Sequence, residues 1–123
     1  MADLKIMIVE DDEELHTLYG LYLRGASYQV LKAFNGREAL KLLAHEMPAV
    51  IVLDMIMPEM GGEEFLREIK AKGIAQKTPV IIASVNDKIP RDLTSMPNVF
   101  AVLKKPFSID VLTDKIQQAL KSA

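Results

Sequence analysis

The sequence predicts an α/β fold, a doubly wound five-stranded parallel sheet with helices on both faces. Three observations predict it: five short apolar runs of strand length recur along the chain, segments with helical spacing of apolar residues lie between them, and most runs end in polar residues. At 123 residues, 50% of them apolar, the chain has the size and core of one domain, taken as residues 1–123.

The elements follow in order. Ile6 to Val9 is apolar throughout and stops at Glu10-Asp11-Asp12, as a strand buried on both faces does when it enters a loop. Leu15, Leu18, Tyr19, Tyr22 and Leu23 recur at spacings of three and four, with Glu13 and Glu14 where negative charge suits a helix N-terminus, so an amphipathic helix is expected to end near Gly25. Tyr28 to Phe34 is rich in strand formers; after the Asn35-Gly36 break, Ala39, Leu40, Leu43 and Met47 resume a helical period. Val50 to Leu53 is a third buried strand, followed by a loop from Asp54 to Gly62 marked by Pro58 and paired glycines. Phe65, Leu66 and Ile69 carry the next helix, with Gly73 as its stop. Pro79 opens a fourth run through Ala83, and Val99 to Leu103 is a fifth. Ser108 is the expected N-cap of a last helix whose Ile109, Leu112, Ile116 and Leu120 face inward. Between Pro90 and Pro97 the apolar positions Ile89, Leu93 and Met96 sustain only a short or irregular helix.

Composition excludes several classes of function. Without cysteine there is no disulfide framework, thiolate metal site or cysteine nucleophile. A formal net charge of −2 argues against broad electrostatic binding to nucleic acid. The longest apolar runs, such as Ala49 to Leu53, are far short of a membrane span, and the N-terminus has no signal-peptide pattern, so a cytoplasmic protein without membrane contact is expected.

In an open parallel sheet, ligands bind beyond the carboxyl ends of the strands. The polar residues that end these runs are Glu10 and Asp11, Asp54, Ser84 and Lys105, so three carboxylates, a hydroxyl and an ammonium are expected to converge from four segments. Clustered carboxylates repel one another unless a cation neutralises them, and Mg2+ favours such oxygen donors together with phosphate oxygens. With the charge balanced, Asp54 could attack phosphorus as a carboxylate nucleophile, and Ser84 and Lys105 could grip the resulting acyl phosphate.

The segments Ile8-Val9-Glu10-Asp11-Asp12, Leu53-Asp54-Met55-Ile56-Met57-Pro58 with Gly62, Ala83-Ser84 and Lys105-Pro106-Phe107 stand in order at the strand ends. In them the sequence resembles, over essentially its whole length, the chemotaxis-regulator-like receiver domains of response regulators in bacterial two-component systems. The resemblance implies a flavodoxin-like sheet of order 2-1-3-4-5 and a phosphorelay in which a sensor histidine kinase or histidine phosphotransfer protein is the donor. It implies Asp54 as phosphoacceptor, Mg2+ held by Asp11, Asp54, the Ile56 backbone carbonyl and, largely through water, Glu10, and a phosphoryl group contacted by Ser84 and Lys105. It also implies a cis Lys105–Pro106 peptide and an output surface on the fourth helix, fifth strand and fifth helix. The output partner is not written in the sequence.

Other readings of these residues fit the sequence less well. The run from Glu10 to Glu14 alone would be a solvated helix start, and Asp54 alone a turn residue. An aspartyl-phosphate phosphatase would carry an acid where Ile56 stands, and a flavin phosphate would be repelled by Glu10-Asp11-Asp12. A pseudo-receiver that only docks partners would lack some of the expected site residues. His16 and His45 have no ligand spacing and are expected at the surface or its boundary, and the seven methionines with Phe65 and Phe107 as core filler. In the family, residues two past the phosphoacceptor and two past the hydroxyl residue influence acyl-phosphate lifetime; Ile56 and Asn86 stand there, and apolar Ile56 implies slow self-dephosphorylation. Val102 stands where many receivers carry a switching aromatic, so the expected switch lies in residues 86–98, with no aromatic flip at 102.

Overall fold

The computed structural model describes residues 4–85 and 88–122. Its elements are β1 (Lys5–Val9), α1 (Glu13–Gly25), β2 (Gln29–Ala33), α2 (Gly36–Leu43), β3 (Val50–Asp54), α3 (Gly62–Lys72), β4 (Val80–Ser84), α4 (Arg91–Thr94), β5 (Val99–Lys104) and α5 (Ile109–Ser122). All strands are parallel, in the order β2-β1-β3-β4-β5. The fold class and strand order are those expected. Among the described residues no helix is long and apolar enough to cross a membrane.

The alternation of side chains along a strand divides the core in two. Met7, Val9, Ile51, Leu53, Val80 and Ile82 face one side, where Ala39 of α2, Phe65, Leu66 and Ile69 of α3 and Leu93 of α4 cover them. Ile6, Ile8, Val50, Val52 and Ile81 face the other, against Tyr19 and Leu23 of α1 and Leu112, Ile116 and Ala119 of α5. Both faces of the central strands are therefore dry, which is why they read as unbroken apolar runs. Each fully buried large apolar side chain contributes about 1.5–3 kcal/mol.

Helix ends follow their chemistry. Asp12 caps α1 by accepting from the Glu14 and Leu15 amides at 2.8 and 3.4 Å. The Asn35 carboxamide oxygen accepts from the Glu38 amide at 2.9 Å. Gly73 ends α3 in the left-handed region at φ 66°, and Ser108 Oγ accepts from the Val111 amide, as expected of a cap.

Three expectations need correction. On α1 the buried face is His16, Tyr19, Gly20 and Leu23, whereas Leu18 and Tyr22 are 42% and 51% exposed; the helix is rotated from the stripe its leucines suggest. His16 is consequently buried, not a surface or boundary residue, while His45 is exposed. Met47 lies beyond α2 and is exposed, because that helix ends at Leu43. Among the described residues before β5 only the single turn α4 is helical, in keeping with the weak pattern there; Asn86 lies outside the described residues.

Candidate functional site

The carboxyl ends of β1, β3 and β5 meet at one edge of the sheet. Register makes this so: Val9 is level with Leu53, Asp54 with Ala83 and Ser84 with Lys104, so the residues ending each strand emerge together. Glu10, Asp11 and Asp54 each offer a carboxylate oxygen, all within 4.8 Å of one another, with Glu10 and Asp54 buried and Asp11 exposed. Lys105 Nζ lies 2.7 Å from Glu10 Oε1 and 3.4 Å from Asp54 Oδ2. Asp54 Oδ1 accepts from the Ile56 amide at 3.3 Å, and Glu10 Oε2 from the Asp12 amide at 3.2 Å.

Ser84 is buried at the end of β4, and its backbone carbonyl accepts from the Lys105 amide at 2.8 Å, tying hydroxyl residue to ammonium residue through the main chain. Beside it a cleft of about 140 Å³ is lined by Met55, Ile56, Glu63, Ser84, Lys88, Ile89 and Pro90. Larger hollows of about 330 and 370 Å³ lie around Pro97 and Asn98, at the amino ends of the strands and away from the carboxylates. The Lys105–Pro106 peptide is cis, as expected.

Electrostatics fit a site built for a cation. Burial disfavours the Lys105 ammonium, but the Glu10 hydrogen bond and the charges of Asp54 and Glu10 prevail and raise it above an ordinary lysine. Burial and the neighbouring Glu10 carboxyl together push Asp11 up. Every acidic donor in the cluster is a carboxylate oxygen, the set that hard divalent ions such as Mg2+ prefer, and no sulfur or imidazole belongs to it.

All five side chains singled out from the sequence thus lie at this edge, with Ile56 62% exposed at its mouth. Two neighbours were not foreseen as part of it. His16 Nε2 lies 2.6 Å from the Glu10 carbonyl oxygen and 3.2 Å from that of Ala33. Tyr19, stacked on Phe107 with ring centroids 6.4 Å apart, is pushed up by burial while feeling the Lys105 charge. Both lie with Gly20 and Leu23 on the buried face of α1.

Comparison with known proteins gives the same picture. The response regulator receiver domain family matches residues 6–117. The protein-glutamate methylesterase/protein-glutamine glutaminase of Treponema denticola is 44% identical over 86 residues, 68% of this chain and 23% of that protein. Transcriptional regulatory protein GlrR of Escherichia coli is 33% identical over 119 residues, 96% of this chain and 26% of that protein. The chain therefore spans about a quarter of the length of these relatives. The response regulator protein TrrA of Thermotoga maritima, solved in complex with Mg(2+)-BeF, aligns with a TM-score of 0.81 at 27% identity over 95% of this chain and 99% of that one. With the family matched from Ile6 into α5, and the sheet order and acidic edge in place, the chain belongs to the response regulator receiver domains of two-component systems.

Proposed function

We propose that residues 1–123 act as one receiver domain that accepts a phosphoryl group on Asp54 from a phosphohistidine of a sensor histidine kinase or a histidine phosphotransfer protein. The observation that carries this reading is the Asp54 carboxylate: buried at the end of β3, within 4.8 Å of two further carboxylates and 3.4 Å from an ammonium. Glu10, Asp11, Asp54 and the Ile56 carbonyl would hold Mg2+, which supplies positive charge to offset the carboxylates and the phosphoryl oxygens. An Asp54 oxygen forms its bond to phosphorus as the phosphorus–nitrogen bond of the donor breaks, and the electron pair returns to the imidazole, which takes up a proton. Its other oxygen stays oriented by the Ile56 amide. Lys105 and Ser84 then contact the transferred group, the ammonium by charge and the hydroxyl by hydrogen bonding. The domain is a signalling switch whose chemistry is confined to its own Asp54; it acts in the cytoplasm and passes its state to an output partner.

Ile56 stands at the mouth of the site with no polar side-chain atom to orient an attacking water, which favours a long-lived acyl phosphate. Intact-mass spectrometry after incubation with a small phosphodonor and Mg2+ tests the assignment. Wild type should gain one phosphoryl group, Asp54→Asn none, and the adduct should decay faster in Ile56→Asn once the donor is removed. Equal incorporation into Asp54→Asn, or into wild type with all divalent metal chelated, refutes the reading.

A further inference from the structure

His16 is 2% exposed, and its position has no explanation in packing alone. Both atoms facing Nε2 are carbonyl oxygens, which only accept, so Nε2 carries the proton and donates to Glu10 and Ala33 at once. Nδ1 is buried with no hydrogen-bond partner among the described residues. An apolar side chain on this face would avoid that unpaired nitrogen, so the imidazole is retained for what Nε2 holds. The ring rests on Phe34, centroids 4.5 Å apart, which fixes its orientation from the β2 side.

What Nε2 holds is the link between two carboxylates. The Glu10 carbonyl belongs to the planar peptide joining Glu10 to Asp11, so gripping its oxygen sets the direction from which Asp11 departs. The Glu10 amide is held from the other side by the Ala33 carbonyl at 3.0 Å. The main chain at Glu10 is thus pinned at both its N–H and its C=O before the chain turns into α1.

We propose that His16 is a positioning residue for the acidic edge, holding the Glu10–Asp11 peptide so that both carboxylates can share one divalent cation with Asp54. This rests on the metal-binding reading given above. The test is calorimetric titration of the full chain with MgCl2, with thermal unfolding followed by circular dichroism in metal-free buffer. Wild type binds Mg2+, His16→Leu folds but binds about tenfold or more weakly, and His16→Gln, which returns an N–H at the reach of Nε2, recovers most of the affinity. A purely structural role would lower the melting temperature of His16→Leu and leave its affinity unchanged, and that result overturns the proposal. A wild type that takes up no Mg2+ overturns the metal reading itself, and the role of His16 with it. Should His16→Leu not fold, His16→Gln is compared with His16→Asn, whose shorter amide cannot reach both carbonyls. Weaker binding by the asparagine variant supports the proposal, and equal affinities overturn it.

Discussion

Replacing Asp54 by asparagine should make the metal-free protein more stable. Taken at 4.8 Å, the outer bound of their separations, and at an effective dielectric of 20, each of the two carboxylate neighbours repels an ionised Asp54 by about 3.5 kcal/mol. On the same scale Lys105, at 3.4 Å, attracts it by about 5 kcal/mol, so repulsion prevails by about 2 kcal/mol. Asp11 is exposed and solvent screens most of its share, so the pair interactions nearly cancel, and the cost of burying the Asp54 charge, 7% exposed, tips the balance by about 1–2 kcal/mol. Asparagine keeps the shape and an oxygen for the Ile56 amide while removing the charge, so this difference should appear as a melting temperature about 3–10 °C higher for a domain of this size. Calorimetric or circular dichroism melts in chelator provide the measurement. Mg2+ at a hundredfold excess over its Kd should stabilise wild type by about 2.7 kcal/mol and the variant, short of one charged donor, by less, so the gap narrows. A lower metal-free melting temperature for Asp54→Asn, or equal shifts of both proteins by Mg2+, would refute the electrostatic account of the site.

Gly62→Ala should destabilise the fold by about 1–3 kcal/mol and slow Asp54 phosphorylation. A Cβ there would lie 2.7 Å from the Asp54 carbonyl oxygen, a main-chain atom beside the reactive carboxylate; urea unfolding together with the mass assay checks this, and wild-type values in both would contradict it. Arg67 Nη1 bonds Asp92 at 2.7 Å and ties α4 to α3, and this hydrogen bond holds the Asp92 carboxyl below the usual carboxylate range. A lowered folded-state value stabilises above the ordinary range, and the contribution is lost as pH falls through the lowered value. The small stability deficit of Asp92→Asn should therefore be present at neutral pH and vanish on acidification, and a deficit undiminished in acid would count against the tie. Amide hydrogen exchange with and without beryllofluoride and Mg2+ should change most across residues 88–98, because α4 is a single turn; equal protection there, with a response elsewhere, would redirect the output route.

The legible parts of this protein were those where one local pattern had one physical cause. Val50 to Asp54 and Val80 to Ser84 are buried at every position, and such strands can only read as apolar runs closed by a polar residue. Since parallel strands present their carboxyl ends to the same edge, Glu10, Asp11, Asp54, Ser84 and Lys105 could be assembled from four strand ends without coordinates. His16 could not. On α1 Leu18, Leu21 and Tyr22, continued by half-buried Leu15, form a stripe that competes with the true one, and hydropathy ranks its leucines above histidine and glycine as core. The need for an N–H donor at position 16 arises only once β1 and β2 pair with Val9 level with Ala33, which brings two carbonyls to one point. That is a property of register between strands, and no window along the sequence contains it.

The weak side of the molecule adjoins its reactive end, and this arrangement bears on how a charge change at Asp54 would be read. Lys105 touches Asp54 by charge and Ser84 by main chain, so the ends of β4 and β5 are linked to each other and to the acidic edge. On the β1 side the same edge is backed by a complete α1 and by the clamp at Glu10. On the β4 side it is backed by a single turn held to α3 by buried Leu93 and by the exposed Arg67–Asp92 pair, and exposed pairs contribute little. Phe100 and Val102 lie on one face of β5, 36% and 44% exposed, so the surface next to that turn is already apolar and half open. Movement costs least where few buried contacts oppose it. A rearrangement starting at Ser84 and Lys105 would therefore run toward α4 and the exposed face of β5 in preference to the clamped side, without requiring a large aromatic at position 102 to swing.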